Sequence, residues 1–315
     1  MLFGDAAADR ASLAIADFNG DGNLDVATVQ HYQDAEYNNH GDLSVLLGNG
    51  DGTFQKAFAL AGGMTSMAAG DFNADGNSDL VLSGDDGNSF GVVQVLLGNG
   101  QGGFTSTTPY QLSSPAVALA VGDINGDGKL DAVALLANGW TLLGKGDGTF
   151  VEPDPWYTYE FSTAWVARQA ALGDYTGDGQ LDVIFAGDTI AVHRGCGDGF
   201  FEGPINHAGN GNLHTAVATG DFNGDGRLDA ITSDADTGSL SEMLGNGDGT
   251  LTYAGAYATG AAPAAVAVGD FNGDGRPDAV AANADSGSVS VVPQQRSLAR
   301  HEQLAGDQRR VRRGG

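Results

Sequence analysis

Cysteine is almost missing from this chain. Cys196 stands alone among 315 residues, so no intrachain disulfide is possible. Basic residues are scarce too: 14 Lys and Arg face 40 Asp and Glu. Six of those 14 (Arg296, Arg300, Arg309, Arg310, Arg312 and Arg313) fall in the last twenty residues, beside Glu302 and Asp307. Residues 1–295 therefore carry 38 acids and 8 bases, a formal charge of −30. Such a field repels nucleic acid and anionic membranes and draws in cations. No apolar run approaches the roughly 18 residues that span a bilayer, so membrane insertion is not expected. The start, "MLFGDAAADR", lacks the apolar stretch of a secretory signal. Helical periodicity, zinc spacing and phosphate loops are absent as well. Proline is rare, at 8 residues against 51 glycines. With 41% hydrophobic residues in short runs, that balance reads as many short strands joined by glycine turns, not as a disordered chain.

What the sequence has is one motif written six times. "DFNGDGRLD" at 221–229 recurs in close variants at 17–25, 71–79, 123–131, 174–182 and 270–278. The intervals run from 47 to 54 residues, too long for leucine-rich repeats and suited to a propeller blade of four strands. Each unit repeats one order. A run of small and apolar residues ("SLAIAD", "AVAVGD") enters the acidic loop, and an apolar run ("DVATVQ", "DAVALL") leaves it. A variable connection follows, then "LSVLLG" or "VQVLLG", a "GNGDGT" turn and an aromatic-led run. These are strands A, B, C and D. The acidic loop joins A to B and the glycine turn joins C to D. Asn138-Gly139 predicts a two-residue hairpin turn between B and C of the third unit.

The expected fold is all-β: a β-propeller of six four-stranded blades over residues 1–295. The alternative is an incomplete seven-bladed ring. "LFGDAAADR" reads as a strand D that would complete the last unit, which stops after its strand C, "SVSVV". Residues 296–315 form a basic tail, expected to be disordered.

The loop chemistry points to a hard cation. Ca²⁺ takes six to eight oxygens. Asp17, Asn19 and Asp21 in the first loop occupy positions 1, 3 and 5, where side chains can converge around an ion. The same positions hold Asp71, Asn73 and Asp75; Asp123, Asn125 and Asp127; Asp174, Thr176 and Asp178; Asp221, Asn223 and Asp225; and Asp270, Asn272 and Asp274. Glycine at position 6 allows the sharp turn. Position 7 varies freely (Asn23, Asn77, Lys129, Gln180, Arg227, Arg276), as a ligand acting through its backbone carbonyl would. Position 9 is Asp25, Asp79, Asp131, Asp182, Asp229 or Asp278 and is expected to bind through both oxygens. Up to six Ca²⁺ ions are expected, the weakest at loop 4, where Thr176 replaces the amide.

Six such loops between strands, followed by "LLGNGDGTF", resemble FG-GAP/VCBS repeats. The resemblance covers residues 1 to about 292. It implies a β-propeller like that of integrin α subunits, some fungal lectins and many secreted bacterial proteins. It also implies Ca²⁺ in the A–B loops of a lower face and partners on the upper face. Some relatives carry lyase or phospholipase activity.

The upper side is built by B–C and D–A connections. Segment 152–165 carries Trp156, Tyr157, Tyr159, Phe161 and Trp165, and Trp140 follows the third unit's hairpin turn. Arg168 stands at the upper end of a strand A. Trp140, Trp156, Tyr157, Tyr159 and Arg168 are the candidate contacts for a glycan or protein ligand. "GNSFG" (87–91) and "DTGS" (236–239) match hydrolase motifs but fall in B–C connections and read as turns. With no acid–base pair to place, the expected function is a non-catalytic, calcium-binding adhesion or recognition module at the cell surface or outside the cell. The alternatives are the propeller of a secreted lyase- or phospholipase-like enzyme and a purely structural repeat.

Overall fold

The computed structural model describes residues 10–33, 39–60, 62–85, 90–136, 139–151, 160–161 and 167–293. Among them there is no helix and there are 24 strands, grouped in chain order. The first group is β1 (Arg10–Ala16), β2 (Asp25–Gln33), β3 (Asn39–Gly48) and β4 (Phe54–Leu60). The second is β5 (Gly63–Gly70), β6 (Asp79–Asp85), β7 (Gly91–Gly98), β8 (Phe104–Ser106) and β9 (Tyr110–Leu112), the last two both pairing with β7. A single parallel bridge, Gly41 with Gly63, joins these groups into one nine-stranded sheet. The third sheet is β10 (Ala118–Gly122), β11 (Asp131–Leu135), β12 (Gly139–Leu142) and β13 (Glu160–Phe161). The fourth is β14 (Ala167–Gly173), β15 (Asp182–Gly187), β16 (Ile190–His193) and β17 (Ile205–His207). The fifth is β18 (His214–Gly220), β19 (Asp229–Asp234), β20 (Ser239–Gly245) and β21 (Leu251–Ala258). The sixth has three strands, β22 (Pro263–Gly269), β23 (Asp278–Asn283) and β24 (Ser288–Val292).

All pairings within a group are antiparallel neighbours in sequence, apart from the split outer strand of the second group. The six A–B–C units are thus found where the repeat predicts them. One detail differs. Leu135 pairs with Gly139, so Gly139 belongs to β12 and the connection is residues 136–138, longer than the two-residue turn read from Asn138-Gly139. The Gly139 pairing takes the glycine out of the turn and into the ladder.

Side-chain alternation explains why the second strand of the four interior groups (β6, β11, β15 and β19) is buried on both faces. In β11, Ala132 and Ala134 join the core shared with the second group, whereas Val133 and Leu135 join the core shared with the fourth. A period of two sends alternate residues to opposite neighbours, and each buried Val or Leu contributes about 1.5–3 kcal/mol. The inner strands β1, β5, β10, β14, β18 and β22 pack successively against one another. Small residues there let the strands approach, and polar side chains tie them together. Thr65 Oγ1 donates to the Ala116 carbonyl at 2.7 Å, and Thr215 Oγ1 to the Pro263 carbonyl at 2.7 Å.

The first and last inner strands, β1 and β22, are not such a packed pair. Leu13 and Ile15 on β1 are exposed, as are Val289 and Val291 on β24. The segment expected to complete the last unit, residues 2–9, lies outside the described residues, as does the basic tail 296–315.

Candidate metal loops and the opposite face

Each acidic loop is a closed network of carboxylates and its own backbone N–H groups. The position 1 carboxylate accepts the position 6 N–H in all six loops, at 2.8–2.9 Å. The position 5 carboxylate likewise accepts the position 7 N–H at 2.8–3.0 Å. These bonds require the chain to coil tightly. The position 6 glycines supply that coil at φ between +80° and +86°, a region costly for other residues. Position 4 is also left-handed, and there Ala74 (φ 57°) takes the place of glycine in loop 2.

Position 3 divides the loops. Asn19, Asn73, Asn125, Asn223 and Asn272 each accept the position 5 N–H through Oδ1, at 2.8–3.1 Å. Thr176 instead turns its hydroxyl toward Asp174 Oδ1 at 3.3 Å. The Asn23, Asn77, Lys129, Gln180 and Arg227 side chains lie against the C–D turn glycine of their own unit. A methyl at Gly50, for instance, would stand 2.4 Å from Asn23 Oδ1.

Position 9 is engaged within the protein. Asp25, Asp79, Asp131, Asp182, Asp229 and Asp278 are essentially buried. One oxygen accepts the position 2 N–H in every loop, at 2.7–3.1 Å. In five loops the other accepts the N–H of the glycine that ends strand C or follows it: Gly48, Gly98, Gly144, Gly195 or Gly245, at 2.7–2.8 Å. Only glycine fits there: a methyl at Gly48 would come within 2.2 Å of the Leu24 carbonyl. In those five loops the two oxygens of the position 9 carboxylate thus fasten the loop to the sheet.

Burial gives the two kinds of carboxylate opposite electrostatics. Loss of water raises the pKa of Asp79, Asp131, Asp182 and Asp229. At the exposed position 5, the Asn23 N–H and the Asn19 amide hold Asp21 low, and the Asn77 N–H and the Asn73 amide do the same for Asp75. Asp127 and Asp274 are held low first by Lys129 and Arg276.

The donors at positions 1, 3 and 5 are all oxygen, anionic or amide, and exposed or nearly so, which is the chemistry a hard cation takes. They fit Ca²⁺ in kind. Among the described residues, no group of three or more His, Cys, Asp or Glu side chains is gathered as for a metal ion.

On the opposite side, Arg168 is held by Asp188 at 2.9 Å, on the B–C turn of the same unit. Trp140 is half-buried against the core shared by the second and third groups, which commits much of its ring to packing. Trp156, Tyr157 and Tyr159 lie outside the described residues. The "DTGS" segment is the β19–β20 turn, as read.

A buried polar cluster that the repeated motif does not announce lies beside this turn. Asp234 pairs with His214 Nδ1 at 2.5 Å and accepts the Ser241 hydroxyl at 2.5 Å; all three are buried. Ser241 donates to the aspartate, not to the imidazole, so the three do not form a nucleophile–base pair. Asn210 donates to Ser241 and Ser239, tying the preceding connection to this turn. Asn283 holds Ser288 and Ser290 at the matching place in the sixth sheet. The available signal was the serine spacing, Ser239 and Ser241 against Ser288 and Ser290.

Comparison with known proteins agrees with this architecture. A protein from Lactobacillus plantarum has a similar solved structure: TM-score 0.57 and 14% identity, over 90% of this chain and 85% of that one. A functionally unknown protein from Desulfotomaculum acetoxidans gives TM-score 0.54 and 14% identity, over 80% of this chain and 75% of that one. These likenesses concern the fold alone. No curated protein matches the sequence. The family model for the FG-GAP-like repeat matches residues 17–82, 71–134, 174–232 and 221–281, each match running from one acidic loop through the next and into the strand after it. That is more than half of the chain, and the chain belongs to the FG-GAP-like repeat family.

Proposed function

We propose that this chain is a calcium-stabilised binding module of propeller type, with six blades and no catalytic role. Its acidic loops take Ca²⁺ on one side, and a glycan or protein partner meets the other. The observation that carries the reading is the repetition of one all-oxygen donor set in six loops on the same edge of the sheets. Positions 1, 3 and 5, with the carbonyl at position 7, would hold the ion. Position 9 would anchor the loop beneath it, and could join the ion only by sharing or releasing an N–H partner. Bound Ca²⁺ would offset the mutual repulsion of neighbouring carboxylates and fix the loops. The chemistry it supplies is structural.

Free Ca²⁺ is high outside the cell, so we place the working protein there or on the cell surface. The aromatic segment 152–165 supports a sugar-stacking or peptide-binding role for the opposite side.

Thermal melting in Ca²⁺ and in EDTA tests the first half. Each site should contribute about 2.7 kcal/mol when Ca²⁺ is 100-fold above its dissociation constant, so chelation should lower Tm sharply. Superimposable curves would remove calcium from the proposal. Thr176→Asn should tighten the weakest binding step in the same titration. A glycan array probed with the parent and with Trp156→Ala tests the second half.

A further inference from the structure

The six loops share one set of three aspartates but not one charge. Position 7 adds a cation in loops 3, 5 and 6 (Lys129, Arg227 and Arg276) and a neutral amide in loops 1, 2 and 4 (Asn23, Asn77 and Gln180). In every loop the position 7 N–H occupies Oδ1 of the position 5 carboxylate, which leaves Oδ2 outside that bond. In loops 3, 5 and 6 the position 7 cation stands on this second oxygen. Lys129 Nζ is 3.1 Å from Asp127 Oδ2, Arg227 Nη2 is 2.5 Å from Asp225 Oδ2, and Arg276 Nη2 is 2.7 Å from Asp274 Oδ2. Arg227 is fixed further by its Nε, which donates to the Gly245 carbonyl at 3.0 Å. In loops 1 and 2 the same oxygen meets a neutral amide, Asn19 Nδ2 or Asn73 Nδ2, at 3.0 Å.

Loop 4 has a positive charge from another strand. Leu47 and Leu97, near the ends of their strands C, pack on the C–D turn of the following unit at Gly102 and Gly148. Arg194 holds the equivalent place in the fourth unit and donates to the Asp248 carbonyl on the fifth unit's turn. A methyl at Gly249 would stand 2.8 Å from Arg194 Nε and 3.4 Å from the Thr176 methyl. The guanidinium therefore lies beside position 3 of loop 4.

An oxygen that already faces an ammonium or guanidinium attracts a metal ion less. The ion must displace that group or share the oxygen with a like charge, whereas the empty loop keeps a partner for its carboxylate. We infer that Lys129, Arg227 and Arg276 act as tethered counter-ions, so that loops 1 and 2 take Ca²⁺ first and loops 3, 5 and 6 only at higher concentration. Loop 4, with Arg194 beside it and Thr176 in place of the amide, belongs to the later group. Calcium dependence is thereby concentrated in the first two units. This order of filling rests on the calcium reading above. It gives the position 7 side chain, indifferent as a ligand, control over affinity.

The test follows the amide signals of the position 6 glycines by NMR as Ca²⁺ is added to the full-length chain. Each of these N–H groups donates to the position 1 carboxylate and so reports on its own loop. Gly22 and Gly76 should respond at a Ca²⁺ concentration about fivefold below that needed by Gly128, Gly226 and Gly275, the upper range for an exposed ion pair. Arg227→Met keeps the backbone carbonyl and removes the cation. It should lower the Gly226 midpoint about fivefold, and Lys129→Met should do the same for Gly128. Arg227→Lys should leave Gly226 where it is. Lys56→Met removes an equal charge from β4, in the first group, and should not move Gly226 either. One midpoint shared by all six loops would overturn the order of filling and leave the calcium reading standing. So would a Gly226 midpoint unmoved by Arg227→Met, or lowered as far by Arg227→Lys or Lys56→Met. No response in any loop would overturn both.

Discussion

Loops 221–229 and 270–278 differ at a single residue, Leu228 against Pro277. Their internal bonds are nearly superimposable. Gly224 and Gly273 donate to Asp221 and Asp270 at 2.7 Å. Gly226 and Gly275 donate to the other oxygen of the same aspartates at 2.8 Å. Their surroundings are not alike. Phe222 is 4% exposed and packs into the sixth sheet; Phe271 is 55% exposed. Asp229 reaches strand C through the Gly245 N–H, and Arg227 Nε donates to the Gly245 carbonyl. Asp278 instead takes the Asn272 amide beside the Phe271 N–H. The same nine residues therefore specify the coil of the loop by themselves. What the loop contributes to stability depends on whether another sheet follows.

The sharpest way to break this comparison is to truncate both phenylalanines. Phe222→Ala should cost about 3–5 kcal/mol, the usual loss for a buried phenylalanine. Phe271→Ala should stay within about 0.5 kcal/mol in dilute solution, as exposed substitutions do. Urea unfolding of both variants measures the difference. Equal losses at low concentration would mean that Phe271 is covered within one chain, and the contrast between the two ends of the array would disappear.

A smaller effect separates the two position 9 aspartates. Asp229→Ala leaves the Phe222 and Gly245 N–H groups buried without their acceptor, at about 1–3 kcal/mol each, so a loss of about 2–6 kcal/mol is expected. Asp278→Ala should cost about 1 kcal/mol, because the loop it serves lies at an exposed end where water can replace it. Both variants should be unfolded in Ca²⁺ and in EDTA. A loss from Asp229→Ala seen only in Ca²⁺ would return position 9 to the ion and remove it from the sheet.

The same contrast explains what could be read in advance. The 2.0-residue alternation, the loop spacing and the glycine turns placed the six units and the three-stranded end, because each is dictated within a few residues of itself. The tight coil that carries the side chains of positions 1, 3 and 5 is dictated just as locally. The sheet partners of position 9 were not legible, since the Gly48, Gly98, Gly144, Gly195 and Gly245 N–H groups that engage it lie 13 to 23 residues away. The exposure of Phe271 is equally invisible in its own loop, because burial there depends on a neighbouring sheet. His214 and Asp234 meet across adjacent strands, and neither belongs to the repeated motif.

The smallest expected effect is a separation of titrations in calcium-free solution. Burial raises the Asp229 pKa, opposed only in part by its N–H partners. The Arg276 guanidinium, first among its causes, holds the Asp274 carboxyl below the ordinary value. The signs are therefore opposite. Because its folded pKa is raised, Asp229 contributes stability below the ordinary aspartate value near 3.9, and that contribution is lost as pH rises through the folded pKa. Asp274 contributes stability above the ordinary value, lost as pH falls through its own lower pKa. The two offset each other around the ordinary value, so acid unfolding without Ca²⁺ should be shallow there. Carboxyl carbon NMR in EDTA reads both groups directly, with Asp229 expected to protonate at higher pH than Asp274. Arg276→Ala should move Asp274 upward and leave Asp229 in place. If Asp229 instead titrates with Asp274 or below it, water reaches the position 9 carboxylate, and the staple beneath the loop is open to solvent.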